Sequence, residues 1–463
     1  MLSGETVVVD SIHGDIHLKP REQRIVDTAS FQRLRHLKQL GMGQVTYPNA
    51  THTRFAHSLG VLGVMARITQ VAHDALHLSD EQRDDVRLAA LLHDIGHYPY
   101  SHLMEKVDKV RLTEELVAEN PTADFSSLPY PGHEEVGELI LTSQRDLITA
   151  IGGKERAQRI AGLFRSRPPG QEQLSKLVHS SLDMDRLDYL LRDARATGVP
   201  YGMIDLNYLL NNLKVSPSGM LGVSDKALPA AEQCLFARFF MHRAVYYHKT
   251  TFGLEEACRQ LLRRLRDAGT RGLARDGDAI RTTVTSTRLG EFTDAYVDGL
   301  VLKAARSRNP VIEALANAIR NRRPPKLLKE VCVLEESGKE HHAGATFKQR
   351  CKHTLGELAR ENNIPLELFL FCELPKPLVL EQRGSSVTAK QARKLVAEER
   401  EDLIKVFLPG EDEPVSLVDI PYSLLNKCSN YFFQAYRLYI VREDLEDDKL
   451  KRLRDAVKDW DET

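Results

Sequence analysis

The sequence predicts a mainly α-helical fold, opened by a short β-hairpin and closed by a smaller α+β appendage. Three observations carry this expectation. Apolar residues recur at helical spacing through most of the first 265 positions, alternating or β-branched runs appear at the start and again after Pro375, and Gly- or Pro-bearing breakers separate the periodic stretches. At 463 residues the chain exceeds the roughly 100 to 200 residues of one ordinary domain. The expected division is a helical core over residues 1–265 and an appendage over 266–463.

Residues 1–20 read as two strands, TVVVD and DIHL, joined by a turn at His13-Gly14-Asp15. From Asp27, which can cap a helix, Phe31, Leu34, Leu37 and Leu40 follow at helical spacing until Gly41 and Gly43 stop the run. Further helical stretches are expected at about 53–77, 84–97, 133–150, 173–195 and 229–266, divided by Pro99, Pro121, Pro129, Pro131, Pro168-Pro169-Gly170 and Gly198-Val199-Pro200. Beyond residue 270 the periodicity weakens, and the basic segment 320–326 reads as a joint between helices. KPLVLEQRG, IKVFLPG, PVSLVDI and FFQAYRLYIV then carry the residue types of strands. Leu445, Leu450, Leu453, Val457 and Trp460, set among charges, mark a last amphipathic helix.

Apolar residues make up 42% and charged residues 28%, which excludes a mostly disordered or collagen-like chain. A formal net charge of −1 leaves no global basic excess, so neither nucleic acid nor an anionic membrane is indicated as a partner. A local basic pocket for small phosphates is compatible with that balance. No window approaches the ~18 uninterrupted apolar residues of a membrane span, and the opening MLSGETVVVDSIHGD lacks the basic-then-apolar order of a signal peptide. Six scattered cysteines with no CxxC pair fit a reducing compartment, so a cytoplasmic location is expected.

Histidine is unevenly spread: eight of the 17 fall between His52 and His133. In LAALLHDIGHYPYSH an apolar helix delivers His93 and Asp94 at its end and His97 one turn later, with Gly96 and Pro99 as breakers. An aspartate in an apolar helical run is costly without a partner, and a cation offsets that cost most directly. HTRFAHSLGVLGVMARI places His57 near the start of the preceding helix, beside Ala56, Ser58 and Gly60, small residues that let another helix approach. In SSLDMDRLDYLLRDA, Asp185, Tyr189 and Asp193 fall at i, i+4 and i+8, adjoined by Arg186 and Arg192. Two imidazoles and two carboxylates from three helices make a mixed nitrogen and oxygen site suited to one divalent transition metal, Mn, Fe, Zn or Ni, with positions left for water and substrate. Any one of these residues alone is more often a surface histidine or an ordinary ion pair; the combination points to a catalytic site.

The pattern of His57, His93-Asp94 and Asp185, within residues 50–195, resembles that of the HD-domain phosphohydrolases. QRLRHLKQLG, HTRFAHSLGV, LLHDIGHYPYSH, HEEVG, DMDRLDYLLRDA and RAVYYHK occur in the order seen in the deoxynucleoside triphosphate (dNTP) triphosphohydrolases, the SAM-and-HD-domain enzyme and its bacterial relatives. The resemblance covers residues 7–260 and, thinly, 320–330. It implies an HD-domain helical core with His57, His93, Asp94 and Asp185 as metal ligands, and His97, His102, His133 and Glu134 as catalytic residues. HEEVG is not a zinc-protease HExxH, because Gly137 stands where the second ligand would be. In that family a metal-held water attacks the α-phosphorus of a dNTP, releasing deoxynucleoside and triphosphate, while an imidazole can protonate the departing 5′ oxygen and Mg²⁺ can accompany the triphosphate.

The same resemblance implies that Arg54, Arg186, Tyr189 and Arg238 hold the triphosphate. Relatives often carry Lys at position 186, so Arg186 keeps the charge and changes the reach. Gln39, Leu40, Asp193 and Tyr246 match the sugar pocket, where Gln39 and Asp193 bind the 3′-hydroxyl and Tyr246 leaves no room for a 2′-hydroxyl. Some relatives are tetramers activated by a guanine nucleotide. Asp27, Gln32 and Arg35 match the guanine-reading residues, but Thr6 stands for a lysine, and in a second activator pocket Tyr208 and Ser224 replace basic residues while Lys226 is retained. A homo-oligomer, dimer or tetramer, with an oligomerising or regulatory appendage is the expectation. Two alternatives stay open: an HD-type phosphohydrolase or phosphodiesterase acting on another phosphate ester, and a catalytically inactive nucleotide-binding regulator. Cys332, His341, His342, Cys351 and His353 match no zinc-ribbon spacing, Gly153-Lys154-Glu155 and Gly338-Lys339-Glu340 lack the rest of a P-loop, and Gly41-Met42-Gly43 lacks the third glycine of a dinucleotide fingerprint.

Overall fold

A computed structural model describes residues 6–107, 129–164, 172–178, 184–336, 342–374, 378–379, 404–429, 431–442 and 444–462. Pro121, Pro168-Pro169-Gly170, Gly338-Lys339-Glu340, His341 and most of KPLVLEQRG lie outside these residues. The opening hairpin forms as expected, Thr6–Asp10 pairing antiparallel with Gly14–Leu18. The periodicity missed the next element, the helix Pro20–Val26. Its signals are Pro20 at the first position and Glu22, whose carboxylate accepts the Lys19 N–H at 2.8 Å. Asp27 ends this helix; the next is capped by Thr28, whose hydroxyl accepts from the Phe31 N–H. The long helix expected through Leu40 is one α-turn, Ala29–Gln32, and a 3-10 turn, Arg33–His36. Phe31, Leu34 and Leu37 are buried as their spacing implied, but Lys38 bridges Thr53 and the Arg54 N–H donates to the Leu37 carbonyl, so tertiary pairing displaces the helix.

Four helices frame the centre: Arg54–Leu76, Asp80–Leu92, His133–Ser143 and Met184–Thr197. Thr53 and Ser79 start the first two, their hydroxyls accepting from the N–H of Ala56 and Gln82. One contiguous hydrophobic core runs from Ile16 of the hairpin to Trp460 near the last helix, Asp447–Ala456. Glycine permits two close approaches. A Cβ on Gly60 would sit 1.9 Å from Asp188 Oδ1, so helix Met184–Thr197 meets helix Arg54–Leu76 there only across a hydrogen. A Cβ on Gly96 would sit 2.0 Å from the His133 carbonyl oxygen and 2.3 Å from the Gly137 nitrogen, backbone atoms that cannot swing aside. Gly96→Ala is therefore expected to destabilise the protein by about 3 kcal/mol, the upper part of the overpacking range, read as a lower urea midpoint at unchanged slope.

Helices Gly277–Thr285, Asp294–Ala304 and Pro310–Arg320 extend the helical body. The basic segment 320–326 joins a helix to a strand, not two helices, because Lys326–Glu336 pairs antiparallel with Tyr431–Ile440. Tyr431–Ile440 also pairs with Phe369–Glu373 and Leu378–Val379, giving a four-stranded antiparallel sheet. Tyr439 fastens this sheet to helix Lys249–Asp267: its ring packs over Gly253 and its hydroxyl donates to the Lys249 carbonyl at 2.9 Å. A second small sheet orders Leu213–Val215, Leu221–Ser224, Lys405–Phe407 and Val415–Ser416, with Lys405–Phe407 parallel to Leu221–Ser224. Among the described residues no helix is long and apolar enough to cross a membrane.

Candidate metal centre and substrate pocket

Helix Asp80–Leu92 delivers His93 at its C-terminal end, followed at once by Asp94. His93 Nδ1 lies 2.8 Å from the Ala90 carbonyl, to which it can only donate, and this turns Nε2 outward. On helix Arg54–Leu76, His57 is wholly buried, and its Nδ1 meets Asp188 Oδ2 at 2.6 Å, so its Nε2 also faces away from its partner. Asp185 Oδ1 stands 2.9 Å from His57 Nε2 and 3.8 Å from His93 Nε2. Ligand-type atoms of His57, His93 and Asp185 all fall within 4.8 Å of one another. Asp94 borders them, Oδ1 at 3.3 Å from His93 Nε2 and Oδ2 at 3.6 Å from His57 Nε2, while Arg54 donates to its Oδ2 at 2.7 Å.

The residues fit a divalent cation. Both Nε2 atoms are buried and within ion-pair distance of carboxylates, yet neither has an aligned hydrogen-bond partner among the described residues. Burial disfavours charge on His57, but the carboxylates of Asp185 and Asp188 beside its two ring nitrogens and the field of Asp94 outweigh it and push its pKa up to about 10. Three carboxylates, Asp94, Asp185 and Asp188, thus stand within ion-pair distance of the one buried His57 ring. Two borderline nitrogen donors with hard oxygen donors match Mn, Fe, Zn or Ni.

Behind the doublet, the buried Arg33 guanidinium pins the turn by donating to the carbonyls of Ile95 at 2.5 Å and His97 at 3.1 Å. Tyr100 and Ser101 follow at φ +53° and +54°, an uncommon conformation for residues with a Cβ. It is held from outside: Asp294 accepts the Tyr100 N–H at 2.8 Å, and Arg54 donates to the Ser101 hydroxyl at 3.0 Å. This reversal sets His102 against His97, ring centroids 5.2 Å apart, and His133 stacks on His97 at 4.4 Å. Glu105 joins the outer two, 2.7 Å from His102 Nδ1 and 3.0 Å from His133 Nδ1. Burial opposes its charge, but these hydrogen bonds hold its pKa far below the ordinary carboxylate range. Burial and the Arg54 charge hold His97 well below the usual imidazole value despite Asp94, so its ring is neutral near pH 7.

His93, Asp94, His97, His102, His133, Glu134 and Asp185 line one cavity of about 510 Å³, inside the range of small-molecule sites. Arg54, Gln39, Leu40, Tyr189, Asp193 and Tyr246 line it too. The Tyr246 hydroxyl donates to Asp193 Oδ2 at 2.8 Å, and His52 Nε2 lies 2.7 Å from Oδ1. The Gln39 side-chain oxygen is buried with no partner among the described residues.

The HD-domain family profile matches residues 54–193, a span that opens at Arg54, contains His57, His93-Asp94 and Asp185, and closes at Asp193. The chain carries an HD domain. A second profile, the HD associated region, matches residues 204–395. The chain is 35% identical over 247 residues to an uncharacterized protein of Methanocaldococcus jannaschii, covering 53% of this chain and 46% of that protein. It is 29% identical over 266 residues to deoxynucleoside triphosphate triphosphohydrolase SAMHD1 of Gallus gallus, covering 52% and 42% respectively. The chain spans about half the length of the curated relatives it matches. Its fold resembles that of a phosphohydrolase from Bacteroides thetaiotaomicron, with a TM-score of 0.69 at 23% identity over 95% of this chain and 100% of that one.

Within the HD domain, Asp185, Tyr189 and Asp193 share the cavity face, as their spacing implied. Arg192 adjoins that stripe on the helix but does not line the cavity; its guanidinium donates to Asp188 at 2.8 Å and Asp10 at 2.9 Å. Arg186 and Arg238, both half-buried, do not line the cavity, and their charges together with burial hold the pKa of His242, which does line it, down to about 3. The sequence alone assigned no part in the site to Glu105, Asp188, His13 or His52. Glu105 was findable at i+3 from His102, and Asp188 at i+3 from Asp185. His13 and His52 carry no local signal, because their partners Asp188 and Asp193 lie 175 and 141 positions away.

Asp27, Gln32 and Arg35 lie at the surface outside the cavity. Gln32 Nε2 donates to the Val26 carbonyl and its Oε1 accepts from Arg35 Nε, both at 2.7 Å, and the Arg35 guanidinium covers the Phe55 ring at 3.6 Å. The Thr6 hydroxyl donates to Gln23 at 2.6 Å. Tyr208 reaches the Lys226 carbonyl at 3.4 Å, so the retained lysine and its non-basic neighbour are together.

Proposed function

We propose that the protein is a metal-dependent phosphohydrolase that converts dNTPs to deoxynucleoside and inorganic triphosphate. The observation that carries this reading is the convergence of His57, His93 and Asp185, the latter two lining the same nucleotide-sized cavity as a layer of three histidines. His57 and His93 would hold the cation through Nε2, and Asp185 and Asp94 through carboxylate oxygens. A divalent cation there neutralises phosphate charge and lowers the pKa of water. Arg54 and Tyr189 face the phosphates, with the charges of Arg186 and Arg238 behind them. His102, oriented by Glu105, donates a proton to the departing 5′ oxygen; His97, His133 and Glu134 complete that wall. The chain around 266–463 supports assembly into a homo-oligomer, and Asp27, Gln32 and Arg35 offer a guanine nucleotide a regulatory seat.

The sugar reading rests on Tyr246, whose hydroxyl is occupied by Asp193 and whose ring stands edge-on to Tyr189 with centroids 6.0 Å apart. A ribose 2′-hydroxyl against that ring would lose its water without gaining a partner, a cost of about 1 to 3 kcal/mol. dNTPs are therefore expected to exceed NTPs by at least about tenfold in kcat/KM. Tyr246→Ala should narrow that gap. Steady-state kinetics with dATP and ATP test both statements; equal hydrolysis of the two by the unaltered protein would remove the deoxyribose reading and leave the broader phosphohydrolase one.

A further inference from the structure

His57 is tied through two further layers to the turn of the opening hairpin. Asp188 Oδ2 receives His57 Nδ1 at 2.6 Å and Arg192 Nε at 2.8 Å. Its Oδ1 receives His13 Nε2 at 2.6 Å and Arg192 Nη2 at 2.8 Å. Arg192 also donates to both oxygens of Asp10, at 2.9 and 3.1 Å. Asp10 in turn accepts the N–H groups of Ile12 and His13 at 2.9 and 3.0 Å, so the residue that shapes the turn also anchors the arginine. The side chains of His13, Asp10, Arg192, Asp188 and His57 are 9%, 8%, 5%, 0% and 0% exposed. Gly60 leaves the space Asp188 occupies.

We propose that Asp188, backed by His13 and Asp10, is the positioning unit of the metal centre, which makes the hairpin turn part of that centre although no hairpin residue lines the 510 Å³ cavity. The inference rests on the reading that His57 holds a metal. Four donors fill the lone-pair directions of Asp188, two on each oxygen, so the carboxylate has one orientation. That orientation fixes the His57 ring, keeps the proton on Nδ1 and presents Nε2 to the cation; partners of this kind raise a ligand's basicity and set its direction. Loss of His13 leaves Oδ1 one donor short and lets the carboxylate, and with it the imidazole, rotate. A network serving stability alone would be insensitive to the metal.

The test is titration of the chelator-treated full chain with Mn²⁺ by calorimetry, alongside thermal unfolding of the metal-free protein. Asp188→Asn keeps the shape but cannot accept from all four donors, and is expected to bind Mn²⁺ about 10- to 100-fold more weakly. His13→Ala is expected to lose about tenfold, at the lower end of that range, and His13→Gln, whose amide can still donate to Oδ1, to recover toward the unaltered protein. If Asp188→Asn does not fold, the His13 pair decides. Unaltered Mn²⁺ affinity in folded His13→Ala, whatever its melting temperature, would overturn the proposal. An unaltered protein that takes up no divalent cation would overturn the metal reading itself, an outcome seen before any variant is made.

Discussion

Asp185→Ala is expected to abolish hydrolysis and to strip the bound cation. Asp185 is the carboxylate that helix Met184–Thr197 turns toward the two Nε2 atoms, at 2.9 and 3.8 Å. Its neighbour Asp188 cannot replace it, because both of its oxygens are engaged by His57 Nδ1, His13 and Arg192. Asp94 is held by Arg54. Loss of a residue that only orients a ligand typically weakens metal binding by about 10- to 100-fold, so loss of a ligand should exceed about 100-fold. At 36% exposure the Asp185 side chain carries little packing, and the fold should survive. Metal content by mass spectrometry and dNTP turnover on the same preparation check this. A fully active, metal-replete variant would mean that another carboxylate is the ligand.

The second large effect is expected from His102→Ala: turnover lower by about two to four orders of magnitude, the usual range for a general acid, with metal and dNTP binding retained. The ring is 53% exposed at the cavity wall and oriented by Glu105 through Nδ1, as a proton donor to an incoming oxygen must be. Metal content again discriminates, since His102, Glu105 and His133 themselves bring ligand-type atoms within 4.8 Å of one another. Unchanged metal content assigns His102 the proton; loss of a cation in step with the ring would make it a ligand instead.

Much of this centre was legible because its determinants are local. The His93-Asp94 doublet closes an apolar helix, and the i, i+4, i+8 stripe of Asp185, Tyr189 and Asp193 needs only helical geometry to share a face. What escaped depends on tertiary contact. Phe31, Leu34 and Leu37 have helical spacing and are buried, yet pairing of the segment with residues 53–54 shortens the helix to one turn. Tyr100 and Ser101 hold a conformation that no residue preference announces, because Asp294 and Arg54 impose it from distant segments. Strand Lys326–Glu336 was hidden by its own composition: two lysines and three glutamates interrupt its apolar residues without strict alternation, and only pairing with Tyr431–Ile440 decides its state.

Product identity decides whether the protein is a dNTP triphosphohydrolase. The metal-loaded protein is incubated with each dNTP and with ATP, and the products are resolved by anion-exchange chromatography. Equal amounts of deoxynucleoside and inorganic triphosphate are expected from dNTPs, with ATP consumed at least about tenfold less efficiently. Deoxynucleoside monophosphate with pyrophosphate, deoxynucleoside diphosphate with phosphate, or no hydrolysis at all would contradict it.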